Sequence, residues 1–356
     1  MLKRFLVAAI LGLLLMSSQI VAAYDYNWDT VQRVSSKSDL ATYIESQKRA
    51  GQSTIPVILT NGLTVELNDF INLCPSSVVS QKIIYDDGQN IRVIYTLMDY
   101  PGTKVANAYL SGNTIWLTAE EKRLYDEAVK IVNEAKKLTI MINQELYIYE
   151  QIMNRSQYLT GDMSNQQRFV TAIGVLLDGK ANCQGYADAF YMLGRMMGWN
   201  VGRMSGTAGG GAHAWNTITF DDGKTYFIDT TWDDNAIGFG GWRNFNDYKY
   251  FNAPAEIIQV THSWDRALEP QNIQPSVDGR YGYFNTTHTR RVSSAEAGFK
   301  LINEKLSKEK FKWFAVIVPF DKKYYDINQA IKKVNAGTYL FRTKCGKYLF
   351  FFAAMR

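Results

Sequence analysis

Residues 179–190 read GKANCQGYADAF, and residues 211–232 read GAHAWNTITFDDGKTYFIDTTW. In the first stretch a polar turn with Gly179 runs into Tyr186, Phe190, Leu193 and Met197, spaced as one face of a helix. Cys183 lies three residues before Tyr186 and shares its inward face. It also falls in the first helical turn, where free backbone N–H groups and the helix dipole stabilise a thiolate. An ordinary buried cysteine would fit the same pattern, so the second stretch decides.

There His213 to Phe220 alternates as a strand, Asp221-Asp222-Gly223 is a turn, and Thr225 to Trp232 reads as the return strand. Register then determines the site. A two-residue Asp222-Gly223 turn would pair Asp229 with Asn216, on the face opposite His213. A three-residue loop with Gly223 in the left-handed conformation pairs Asp229 with Trp215 and His213 with Thr231. Asp229 and His213 are then diagonal neighbours on one face. The three-residue register is the expected one, because that loop wants Gly in its last position.

A Cys at a helix start, a His on a strand and an Asp on the next strand can converge. In that division of labour His213 takes the proton of Cys183, and Asp229 orients the imidazole and stabilises its charge. The thiolate attacks an amide or ester carbonyl to give a thioester. The backbone N–H of Cys183 is the natural first oxyanion donor, with Tyr158 as a guess for the second. Trp215 and Asn216 complete the substrate and oxyanion candidates. Trp215, Trp232 and Trp264 leave both a cleft lining and a core role open. His262 reads as a structural histidine. No metal and no cofactor is expected: a zinc site from Cys183, His213 and Asp229 would lack a fourth ligand and the usual short spacing.

The boxes GKANCQGYADAF and GAHAWNTITFDDGKTYFIDTTWDD resemble the core of the transglutaminase-like superfamily of cysteine acyl-transfer enzymes, in its secreted bacterial form. The resemblance covers about residues 147–268, and His262-Ser263-Trp264-Asp265 is similar to a segment that often closes this domain. It implies Cys183 as nucleophile, His213 as base and Asp229 as orienting acid. Asn182 departs from the small residue often found before the cysteine. The fold class expected is α+β: a papain-like core with the Cys-bearing helix packed on an antiparallel sheet.

Outward from this core, two stretches resemble each other. Arg33-Val34-Ser35-Ser36 recurs as Arg291-Val292-Ser293-Ser294. Each is followed by a Ser-capped helix, an apolar strand, a short helix and two strands about a Gly turn. The shared element order favours a duplicated pair of small α/β modules. Thr118 and Glu121 form a capping box that starts a helix over 119–136, and a second helix is expected from Tyr147 to about Met153. The expected organisation is a signal peptide over 1–23, an N-terminal module over 24–110 and a catalytic core over 111–268. A turn-rich linker over 269–290 and a basic module over 291–356 follow.

The leader MLKRFLVAAILGLLLMSSQIVAA has a basic start, a short apolar run and a small-residue end. That is the layout of a secretory signal, and the run is short for a membrane span. No membrane span is expected after its removal, and the mature chain is expected to be secreted, extracellular or wall-associated. Three cysteines in 356 residues exclude a disulfide-dense scaffold. A Cys74–Cys345 disulfide would leave Cys183 free. The net charge of +5 is no nucleic-acid signature. Residues 291–356 hold 14 Lys or Arg against 5 Asp or Glu, either a solvated face or an attachment to an anionic cell-wall polymer.

Together these features predict a secreted cysteine enzyme acting on amide bonds of peptides or cell-wall peptides. Hydrolysis is favoured over Gln–Lys cross-linking, since extracellular water is abundant and no amine site is visible. A binding protein on the same scaffold is the reading from a different class.

Overall fold

The computed structural model describes residues 26–66, 69–74, 77–159, 167–234, 248–282, 289–309, 311 and 313–355. The leader over 1–23 lies outside the described residues.

The chain opens with β1 (Arg33–Val34), α1 (Lys37–Arg49), β2 (Thr54–Leu59), α2 (Phe70–Leu73), β3 (Ser77–Asp86) and β4 (Ile91–Asp99). Ser36 caps α1 by accepting from Asp39 N, as a Ser before an amphipathic run should. The sheet order is β1-β2-β4-β3, with β1 parallel to β2 and the rest antiparallel. Cys74, at the end of α2, is a free, buried thiol rather than half of a disulfide.

The helices α3 (Pro101–Ser111), α4 (Ala119–Lys136) and α5 (Met141–Arg155) follow. The Thr118–Glu121 capping box forms in full and starts α4 at the expected residue. Helix α5 is twice the expected length. Val105 and Ala106 of α3 pack into the central core. Next come β5 (Gln157–Tyr158), β6 (Lys180–Ala181), α6 (Cys183–Met196), β7 (Asn200–Ala208), β8 (Gly211–Thr219), β9 (Thr225–Ile228), α7 (Thr230–Asp233), α8 (Ala255–Ile258) and β10 (His262–Ser263). The central sheet has the order β10-β7-β8-β9 and is antiparallel throughout. Its apolar face meets α6, whose Tyr186, Ala189, Phe190 and Leu193 are buried in the core shared with α4 and α5.

The glycine-rich stretch 206–211 is mostly strand, closed by a two-residue turn at Gly209 and Gly210 with φ of 57° and 87°. One sequence expectation changes here. The return strand read over 225–232 stops at Ile228. Thr230–Asp233 is a helical turn capped by Asp229, so Thr231 does not pair with His213. A Thr-Thr-Trp run favours strand, but the carboxylate of Asp229 offers the next N–H groups a cap instead.

The C-terminal unit is β11 (Thr289–Arg291), α9 (Ala295–Asn303), β12 (Trp313–Pro319), α10 (Lys322–Tyr325), α11 (Ile327–Ile331), β13 (Thr338–Cys345) and β14 (Tyr348–Met355). Its sheet order, β11-β12-β14-β13, follows the pattern of the N-terminal sheet, again with the first pair parallel. Strand β14 is apolar on both faces because both are covered. Leu349 and Phe351 lie beneath α9, while Phe350 and Phe352 join the central core. Trp313 links the units, stacked between Tyr248 and Phe352 with ring centroids 5.0 and 5.3 Å away. The segment read as a linker is not free. Thr225 N donates to Asn272 O, Gln274 N donates to Thr225 O, and Tyr281 stacks on Phe220.

Beneath the central sheet α5 carries Glu145, fully buried, with Oε2 accepting from Asn252 Nδ2 at 2.8 Å. Burial pushes this carboxyl up to about 8. From pH 4.5 to about 8 the unfolded chain has ionised this group while the folded chain keeps its proton, so stability falls as pH rises across that window. The full interval is worth about 5 kcal/mol. Glu145→Gln is therefore expected to raise the melting temperature at pH 8.5 and leave it nearly unchanged at pH 4. Thermal melts at both values check this, and equal shifts at both would count against it.

Candidate active site

Cys183 is the first residue of α6, with Asn182 as N-cap accepting from Gly185 N at 3.2 Å. Asn182 thus does local work where a smaller residue would have none: it satisfies one of the open N–H groups of the first turn. The thiol is nearly buried, packed against Ala187, Ala214 and Tyr158. Tyr158 arrives through the short parallel pairing of β5 with β6, where Tyr158 faces Ala181, two residues before the cysteine. Leu159 N donates to Ala181 O at 2.8 Å and holds the two segments together.

The three-residue hairpin forms as expected. Thr219 pairs with Thr225, Asn216 pairs with Ile228, and Gly223 has φ of 70°. That register brings Asp229 level with Trp215 and beside His213. His213 Nε2 stands 2.8 Å from Asp229 Oδ2. Asp229 Oδ1 accepts from Thr231 N and Trp232 N at 2.9 and 3.1 Å. The loop is held from below: Tyr149 Oη donates to Asp233 Oδ2 and Tyr186 Oη donates to Asp234 Oδ2, each at 2.5 Å.

Electrostatics follow from this geometry. Burial alone would raise Asp229, but the charge and hydrogen bonds of His213 and His262 hold it well below the usual carboxylate range. Burial pulls His213 down, yet the charge and hydrogen bond of Asp229, joined by those of Cys183, outweigh it and push the imidazole up to about 10. An ionised Asp229 only accepts, so His213 Nε2 carries a hydrogen and Nδ1 is the nitrogen left for Cys183. Burial, then the charges of Cys183 and Asp229, pushes the Tyr158 phenol up to about 12, so it remains a donor beside the sulfur.

Two of the predicted substrate contacts are placed elsewhere. Trp215 is 1% exposed and stacks behind the His213 ring at 5.9 Å, with an interplanar angle of 20°. It is a floor of the site, not a cleft lining. Asn216 is buried and spends both Nδ2 hydrogens on Ala187 O and Gly202 O, each at 3.0 Å, which ties β8 to α6 and β7. It has no donor left for an oxyanion. The two residues face opposite sides of β8; α6 covers one side and aromatic rings cover the other. Trp232 is the tryptophan at the rim, 36% exposed, with its ring 6.0 Å from that of His213.

His262 is the residue the sequence reading placed apart and the structure brings in. Its Nε2 stands 2.9 Å from Asp229 Oδ2. Strand β10 pairs His262 with Ala208 and Ser263 with Thr207. Gly206 permits that approach, because a Cβ there would overlap the Ser263 carbonyl and the Trp215 ring. Two residues of strand carry no periodicity, so no pattern could have assigned them; the glycine in the facing strand was the one available signal.

Cys183 thus stands at a helix start against a sheet that carries His213 and leads into Asp229. Residues 127–230 match the model of the Transglutaminase-like superfamily. Cys183, His213 and Asp229 fall inside the match and His262 lies beyond it. No curated protein matches the chain. Solved structures are similar to it, three of them as follows. One is described as a TGase: 17% identity, TM-score 0.29, 56% of this chain and 59% of that one. A candidate cysteine protease from Cytophaga hutchinsonii is 13% identical, with a TM-score of 0.25 over 50% and 64% of the two chains. A candidate protease from Parabacteroides distasonis is 9% identical, with a TM-score of 0.27 over 85% and 66%. The chain thus spans less than two thirds of the length of each.

Proposed function

We propose that the protein is a cysteine acyl-transfer enzyme that hydrolyses amide bonds of peptides or cell-wall peptides through a thioester on Cys183. The observation that carries this reading is the 2.8 Å contact of His213 with Asp229, on an imidazole that Cys183 also acts upon. In this mechanism the Cys183 sulfur attacks the carbonyl carbon, and the oxyanion is met by the N–H of Cys183 and the Tyr158 hydroxyl. The tetrahedral species collapses as the imidazolium of His213 gives its proton to the departing amine. His213, now neutral, takes a proton from water, which attacks the thioester and releases the acid. Trp232 at the rim is the natural aromatic contact for the substrate.

The leader supports action outside the cytoplasm. The positive excess of residues 291–356 supports attachment to an anionic wall polymer, and this module would hold the enzyme at its substrate. The common strand order and the repeated Arg-Val-Ser-Ser support descent of the two flanking modules from one unit.

Two measurements test the reading. Iodoacetamide at pH 6 is expected to modify Cys183 at least 10-fold faster than a free thiol. A screen of wall peptides and small amides is expected to yield a product that Cys183→Ala abolishes. Modification no faster than a free thiol would remove the basis for an enzyme. Incorporation of an added amine into a Gln peptide, without hydrolysis, would redirect the assignment to cross-linking.

A further inference from the structure

Asp229 Oδ2 is shared by two imidazoles. His213 Nε2 is 2.8 Å from it and His262 Nε2 is 2.9 Å from it, while Oδ1 takes two backbone N–H groups. Four donors on one carboxylate leave it no freedom to rotate. The His262 ring is itself fixed. Its Nδ1 stands 2.9 Å from Thr261 Oγ1, which is 2.7 Å from Tyr250 Oη. The rings of Trp215, Trp232 and Tyr250 surround it at 5.0–5.1 Å. The His262 side chain has no exposed surface and so cannot touch a substrate.

We propose that His262 is a positioning residue: its Nε2–H anchors Asp229 Oδ2, which in turn holds His213 in the Nε2–H tautomer with Nδ1 directed at Cys183. This rests on the acyl-transfer reading for its consequence in catalysis, but not for the tautomer. The same three groups offer a nitrogen, an oxygen and a nitrogen to a divalent cation. A tetrahedral zinc ion about 2.0–2.2 Å from each would hold neighbouring ligand atoms about 3.4 Å apart. Both contacts are instead of direct hydrogen-bond length.

Two substitutions test the role. His262→Gln keeps an N–H at the position of Nε2, whereas His262→Phe keeps a ring and removes the donor. In ¹⁵N NMR spectra recorded above pH 10, where the His213 imidazolium has lost its proton, the wild-type ring is expected as a single species carrying its hydrogen on Nε2. His262→Phe is expected to give a tautomer mixture and His262→Gln to preserve the single species. Modification of Cys183 by iodoacetamide at pH 6, followed on the Cys183 peptide, should slow about 10- to 100-fold in His262→Phe and stay within about threefold in His262→Gln. Should His262→Phe not fold, Thr261→Val, which removes the partner of Nδ1, is expected to slow modification and broaden the His213 signal in the same direction. A folded His262→Phe with wild-type tautomer and rate overturns the proposal, and so does a His262→Gln as impaired as His262→Phe. A slow wild-type Cys183 with a uniform His213 tautomer lost in His262→Phe would instead sink the acyl-transfer reading and leave the positioning role standing.

Discussion

Asp229→Asn is expected to lower kcat/KM for the Cys183-dependent product about 10³- to 10⁴-fold while the protein stays folded. Asn caps a helical turn as well as Asp, so its Oδ1 can still accept from Thr231 N and Trp232 N. The change falls on the other side. Where Oδ2 accepted from both imidazoles, an amide NH₂ now donates, and two donors cannot face a donor. His213 must carry its hydrogen on Nδ1 to accept at Nε2, and the nitrogen facing Cys183 is no longer a base. Steady-state rates with a melting curve check this. An Asp229→Asn variant within tenfold of wild type would show that the carboxylate does not set the imidazole.

The largest expected loss of stability lies at the joint between the N-terminal module and the core. Asp188 of α6 is fully buried and accepts from Gly102 N at 3.2 Å, from Ala172 N at 2.8 Å and from Arg203 Nη2. The Arg203 guanidinium lies over Tyr100 and Tyr191, 4.5 and 3.8 Å from their ring centroids. One ion pair thus fastens the first turn of α3, the segment before the Cys183 box and strand β7. Asp188→Ala takes the carboxylate counter-charge from a buried guanidinium, which keeps Thr103 Oγ1 at 3.4 Å, and the acceptor from two backbone donors, which should cost about 3–5 kcal/mol. Changing both partners, Asp188→Leu with Arg203→Met, should cost less than Asp188→Ala, because no orphan charge remains. Urea melts of the three variants decide. A double variant worse than Asp188→Ala would mean that the hydrogen bonds to Gly102 and Ala172, not the charge, dominate.

Local signals carried much of the architecture. The caps at Ser36, Thr118 and Ser294 start α1, α4 and α9 where the sequence says they should, because a cap is satisfied within four residues. Gly223 set the hairpin register for a similar reason: a left-handed residue at the end of a three-residue loop is a local demand. Trp215, Asn216 and His262 were less legible. Their roles depend on what covers each face of the sheet and on which strand lies at its edge. Neither depends on neighbours in sequence.

The sequence by itself determined that a cysteine begins a helix and that His213 and Asp229 share one face of a hairpin, since periodicity, capping and turn length act over a few residues. Only the tertiary structure decided that a two-residue strand far downstream brings a second imidazole to the same carboxylate. Nor could local reading foresee that Trp215 lies beneath the site rather than over the substrate. Those outcomes come from packing between distant segments, where a missing side chain at Gly206 and the aromatic rings around His262 select one arrangement.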